Sequence, residues 1–152
     1  MEREAMSELE TILAELGRQG HARWWVGPRP AGDGIDVARR IASKLGYPSA
    51  SANPFSDPDG LFRLTWREAA HVIAVAGTTS LAYGSNDPDQ YWIDEAARAL
   101  RWLGHDAIFL GNGFSNGAMA AGWNPLTCAT FDSGVIGYDA RTAFIFWVED
   151  ED

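Results

Sequence analysis

Apolar positions recur at helical spacing through the first two thirds of the chain and gather into short strand-like blocks in the last third. Ser7 and Glu10 have the spacing of a capping box, and Leu9, Ile12, Leu13 and Leu16 follow on one helical face before Gly17. This predicts a first helix over about Ser7 to Leu16. The run from Ala22 to Gly27 suits a short strand, ended by turn formers between Pro28 and Gly32. Asp33 is placed to cap a second helix, with Ile35, Ala38, Ile41, Ala42 and Leu45 on its inner face and Gly46 and Pro48 to stop it. The turn-rich segment 49–60 is the longest expected loop, and it divides the chain without composing a linker.

Thr65 and Glu68 form a second capping box, opening a helix through Ala69, Ala70, Ile73 and Ala76. Val72 and Val75 widen its apolar surface to most of its circumference, which predicts a central helix. A fourth helix is expected with Asp87 as cap and Pro88 at its first position, Ile93, Ala97 and Leu100 inside, and Asp94 paired with Arg98 outside. Beyond Gly104 the pattern changes to strands at 106–111, 132–139 and 142–150, with Ala140, Arg141 and Thr142 at the turn of an antiparallel hairpin. Helices first and paired strands last indicate an α+β fold: about four helices packed on a small, mainly antiparallel sheet with a C-terminal β-hairpin. The apolar run Ala143 to Val148 passes directly into Glu149, Asp150, Glu151 and Asp152. Such a charged end either keeps an edge strand from pairing with other chains or serves a basic partner.

Composition narrows the class. With 152 residues, 46% hydrophobic and 12% aromatic, the chain suits one domain over 1–152 with a real core. No apolar run approaches a membrane span and the first residues are too acidic for a secretory signal, so a soluble cytoplasmic protein is expected, away from the membrane. Cys128 is the only cysteine, which removes intramolecular disulfides and cysteine-based zinc clusters. The net charge of −9 is uneven: residues 102–152 carry seven acids against Arg141 alone. That argues against direct nucleic-acid binding, which needs a basic footprint, and favours a basic partner.

The motifs that would carry catalysis are missing or incomplete. Gly111, Gly113 and Gly117 follow a strand, as in a dinucleotide-binding turn, but only four residues separate Gly117 from Gly122. No pyrophosphate-holding helix fits there, so a surface loop is expected, with Phe114 and Met119 as exposed contacts or tucked beneath it. His21, His71 and His105 fall in no ligand spacing, and neither metal nor cofactor is expected. His71 reads as a hydrogen-bonded core residue, and His105 suits a helix C-terminus. There is no G-x-S-x-G elbow and no zinc deaminase signature. Seven tryptophans exceed one periodic face; most should be core. Trp123 lies outside the regular elements, before Asn124 and Pro125, where it either anchors a partner or pins the loop.

The segments Trp123 to Pro125, Thr130 to Ile136 and Trp147 to Asp152 resemble the ending of small immunity proteins from bacterial polymorphic toxin systems, used in interbacterial competition. The resemblance implies a non-enzymatic protein that binds a cognate secreted toxin domain and covers its active site. Many such toxins cut or deaminate nucleic acid and have basic grooves, which an acidic inhibitor can occupy in place of phosphates. The toxin-binding residues expected on this basis are Phe114, Trp123, Asn124, Asp132, Glu149, Asp150, Glu151 and Asp152. The alternative is a small cytoplasmic enzyme using His71 or His105 with Asp132 or Cys128, which requires those side chains to converge in one cleft.

Overall fold

A computed structural model describes residues 2–18, 22–47, 61–78, 88–112, 114–115, 118–119 and 131–150. Among them are four helices and seven strands: α1 (Glu2–Gly17), β1 (Ala22–Pro28), α2 (Ile35–Ser43), β2 (Phe62–Leu64), α3 (Trp66–Thr78), α4 (Gln90–Leu100), β3 (Ile108–Gly111), β4 (Phe114–Ser115), β5 (Ala118–Met119), β6 (Phe131–Tyr138) and β7 (Thr142–Asp150). Five strands form one sheet in the order β1-β7-β6-β3-β2, every neighbouring pair antiparallel. The α+β architecture with its closing β6–β7 hairpin is therefore as the pattern predicts.

The sheet is buried on both faces, and β7 shows why its sequence reads as a continuous apolar run. Phe144, Phe146 and Val148 face α1, α3 and α4, where they join Leu9, Leu13, Leu16, Ile73 and Leu100. Ala143, Ile145 and Trp147 alternate to the opposite face, where α2 contributes Val37, Ala38, Ile41 and Ala42. β7 is not an edge. It pairs with β1 from Ala22↔Val148 to Pro28↔Thr142 and with β6 from Phe131↔Asp150 to Tyr138↔Ala143, so its charged end does not shield an open ladder. The edges are β1 and the three-residue β2.

Two glycines of β6 make room for the aromatic side chains of β7. Gly134 lies opposite Trp147 and Gly137 opposite Phe144. A Cβ on Gly134 would collide with the Phe146 carbonyl oxygen and the Trp147 indole, and one on Gly137 with the Phe144 ring.

Helix boundaries show where local signals held and where they gave way. The α3 capping box forms as expected: Glu68 N–H donates to Thr65 Oγ1 at 3.1 Å and Thr65 N–H to Glu68 Oε1 at 2.9 Å. Eight of the thirteen α3 residues are buried, so it is the central helix. α1 begins at Glu2 rather than Ser7, because the helix-forming run before Ser7 extends it upstream. Gly34, not Asp33, occupies the α2 cap without a side-chain bond, and Ile35 in the first turn is exposed rather than inner. α2 closes as expected on Gly46 at φ 80°, with Tyr47 N–H reaching Ala42 O at 3.1 Å and Gly46 N–H reaching Ser43 O at 3.0 Å, a Schellman closure.

Asp89 rather than Asp87 caps α4, accepting from Tyr91 N–H at 3.3 Å; Asp87 lies outside the described residues. The acid–proline–acid run offers two caps two residues apart, and the chain uses the second. Its inner stripe is correspondingly rotated to Ala96, Ala99 and Leu100, with Ile93 and Ala97 only partly buried. Arg98 pairs with Glu95 at 2.7 Å and reaches across to Glu8 of α1 at 2.8 Å, while Asp94 accepts instead from Gln90 at 2.9 Å. The expected Asp94–Arg98 pair is thus replaced by one that ties two helices together.

Phe114–Ser115 and Ala118–Met119 form a small antiparallel ladder, where the sequence suggested an unstructured surface loop. The two residues between these strands are Asn116 and Gly117, a pair suited to a tight hairpin turn.

Candidate interaction site

The hairpin that carries the acidic end is registered from its turn. Asp139 Oδ1 accepts from Arg141 N–H at 2.8 Å and Thr142 N–H at 2.7 Å, and Oδ2 from Gly104 N–H at 2.8 Å. Burial acts to raise the Asp139 carboxyl, but these three backbone donors, helped by the Arg141 charge, hold it below the usual carboxylate range. From this fixed turn, strict antiparallel counting puts Asp132 directly opposite Glu149 at the far end. Both lie two residues beyond the Trp147–Gly134 pair and share its sheet face, the one covered by α2.

Asn112 is bonded to one of these carboxylates, and Tyr47 and Arg23 stand nearby. Arg23 of β1 is the cross-strand partner of Trp147, and its guanidinium stands 5.5 Å from the centroid of the Tyr47 ring, just beyond α2. Asn112, which follows β3, donates Nδ2–H to Asp132 Oδ1 at 2.6 Å and to the Asp132 carbonyl at 3.2 Å. The Tyr47 hydroxyl is pushed up by burial and by the Glu149 charge, with Arg23 beside it pulling the other way and Asp132 adding a smaller push. Tyr47 Oη and Trp147 Nε1 are buried donors with no hydrogen-bond partner among the described residues. Like charges directly opposite each other across strands repel, and here the Asn112 amide is bonded to the Asp132 carboxylate, with Tyr47 and Arg23 nearby.

The expected contact residues fall into three groups. Asp132 is fully buried and held by Asn112, so it supports the strand end from within rather than presenting a contact surface. Glu149 is half-buried and, with Asp150, belongs to the β6–β7 ladder, in agreement with the strand expected over 142–150. Phe131 and Asp132 of β6 supply the backbone partners of these two residues. Phe114 lies in β4, and Trp123, Asn124, Glu151 and Asp152 lie outside the described residues.

Of the side chains of the enzymatic alternative, the three among the described residues, His71, His105 and Asp132, are not brought together. His71 belongs to α3 on one face of the sheet and Asp132 to the other face, with the sheet between them. His71 is half-buried, and its Nε2 is without a hydrogen-bond partner among the described residues. His105 is exposed in the turn before β3, at the opposite end of that strand from Asn112, and Cys128 lies outside the described residues. Among the described residues no group of three or more His, Cys, Asp and Glu side chains is arranged to hold a metal ion, and no helix is long and apolar enough to cross a membrane.

The cluster draws on β1, the end of α2, the end of β3 and the β6–β7 hairpin. Arg23, Tyr47 and Asn112 carried no sequence signal of their own, because each is ordinary in its local context and acquires its role only through sheet order. Comparison with protein-family models, with curated proteins and with solved structures finds no match for this chain.

Proposed function

We propose that the chain is a non-catalytic inhibitor of the immunity type, which binds a cognate secreted toxin domain and covers its active site with an acidic surface. The observation that carries this reading is the anchoring of the start of the acidic run: the backbones of Glu149 and Asp150 are laddered to β6 at the end of the sheet. A backbone held in the sheet before binding loses less conformational freedom on docking, which favours tight association with a basic groove. The net charge of −9 and the acid excess of residues 102–152 agree in sign with a partner that normally holds nucleic acid. In this reading the protein works in the cytoplasm, Asp132 and Arg23 hold the strand end in place, and Glu149 to Asp152 together with Phe114, Trp123 and Asn124 meet the toxin.

The test is to recover partners of the tagged protein from its native lysate at low and high salt, and to assay any toxin-bearing polypeptide for nuclease or deaminase activity with and without the protein. Stoichiometric inhibition, with association slowed by salt, supports the proposal. Recovery of no such polypeptide, or a captured toxin domain whose activity is untouched, overturns it.

A further inference from the structure

The end of the sheet opposite the carboxylates holds a site of the contrary character. A cavity of about 610 Å³ opens between the start of α3, the end of α4 and β3, within the range of roughly 300–1,000 Å³ typical of small-molecule sites. Leu64, Leu100, Leu103 and Phe109 make its floor, and all four are buried. The indole of Trp66, 39% exposed, stands at the mouth with the Arg67 guanidinium 5.3 Å from its ring centroid. Arg101 and His105 reach the rim from the α4–β3 turn, and Arg63 borders it from β2.

No carboxylate lines this cavity, although acids outnumber bases in the chain by 21 to 12. None of Arg63, Arg101 and His105 takes part in the ion pairs of the described residues, which go to Arg39 and Arg98. Of the acids in the neighbouring segments, Glu68 accepts from Thr65 N–H, Asp139 accepts from Gly104 N–H, and Asp106 lines a separate cavity with Asp139. Placing a cation at the C-terminus of α4 suits the helix dipole and accounts for Arg101 alone. It does not account for an apolar floor, an exposed tryptophan and three bases around one opening.

We propose that this cavity binds a small organic anion with a flat apolar body, the body lying on Trp66 and the Leu64–Phe109 floor and the anionic group meeting Arg101 and His105. The inference stands apart from the toxin-binding reading, since it uses the other end of the molecule.

Naphthoate and its uncharged counterpart naphthalenemethanol, titrated by calorimetry at low ionic strength, test it. Naphthoate should bind with a dissociation constant of about 1 mM or tighter, the scale expected of a ligand this small, and at least about tenfold more tightly than the alcohol. Arg101→Gln should bring naphthoate down to the level of the alcohol, while Arg101→Lys, which keeps the charge, retains most of the preference and controls for folding. Trp66→Ala should weaken both probes. Glu149→Gln should change neither, which separates this site from the acidic end. Equal binding of the two probes, a preference that survives Arg101→Gln, or no binding of either at several millimolar overturns the proposal.

Discussion

Asp139 shows how one side chain sets the geometry of a whole hairpin. Its carboxylate accepts three backbone N–H groups, two from its own turn and one from Gly104 at the end of the helical layer. Because its folded pKa is depressed, its contribution to stability is complete above the unfolded value near 3.8 and is lost as the pH falls through the lower folded value. Asp139→Ala should cost about 1–3 kcal/mol at neutral pH, from lost hydrogen bonds to a charged acceptor. Urea unfolding of both proteins from pH 6 down to pH 3 should show the gap narrowing only at the acid end. At Gly134 the limit is space rather than charge. Gly134→Ala should destabilise by at least about 1–3 kcal/mol, the usual cost of overpacking, and near-ultraviolet circular dichroism should report a displaced Trp147.

At the level of elements, sequence and structure agree where a local interaction decides the outcome. The Thr65–Glu68 box involves atoms three residues apart and forms as its spacing predicts. Thr65→Ala should lower stability by about 1 kcal/mol, seen as a fall of several degrees in thermal midpoint, while leaving the acidic end untouched. Where two local solutions compete, the sequence alone leaves the choice open: Asp87 and Asp89 both suit an N-cap, and it is Asp89 whose side chain accepts from Tyr91 N–H. The Asn116-Gly117 pair between β4 and β5 suits a hairpin turn, while the surrounding glycines equally suit a loop, so composition alone does not separate the two. Strand order had no local signal at all. Nothing near residue 148 says that β1 lies beside it, so the alternation of β7 between two cores, and with it the inner position of the acidic strand, emerged only from the sheet. The same holds for the cluster around Asp132: its acid was visible in the sequence, its burial and its neighbours were not.

On the scale of the whole molecule, Asp132, Glu149 and Asp150 lie at one end of the hairpin along the strand direction, and the base-rimmed cavity lies toward the other, where Asp139 closes the turn. For a toxin partner this orientation steers encounter, since opposite potentials accelerate association and salt screens the effect. Neutralising Glu149, Asp150, Glu151 and Asp152 together to Gln and Asn should slow association with the captured toxin domain by at least about tenfold at low salt, and by much less at high salt. Stopped-flow binding across a salt series checks this. An association rate unchanged by the four substitutions would assign the run to solubility instead.

The pairing of β1 with β7 also has a bearing on how the protein is made. Ala22 finds its partner only at Val148, so during translation β1 leaves the ribosome well over a hundred residues ahead of the strand that completes it. Until then Trp24, Trp25 and Val26 have no ladder to join, and the helices that have already emerged lack the sheet they pack on. A nascent chain stalled before residue 142 should therefore remain open to protease and attractive to chaperones, and release of the last strand should close both sides of the sheet in a single late step.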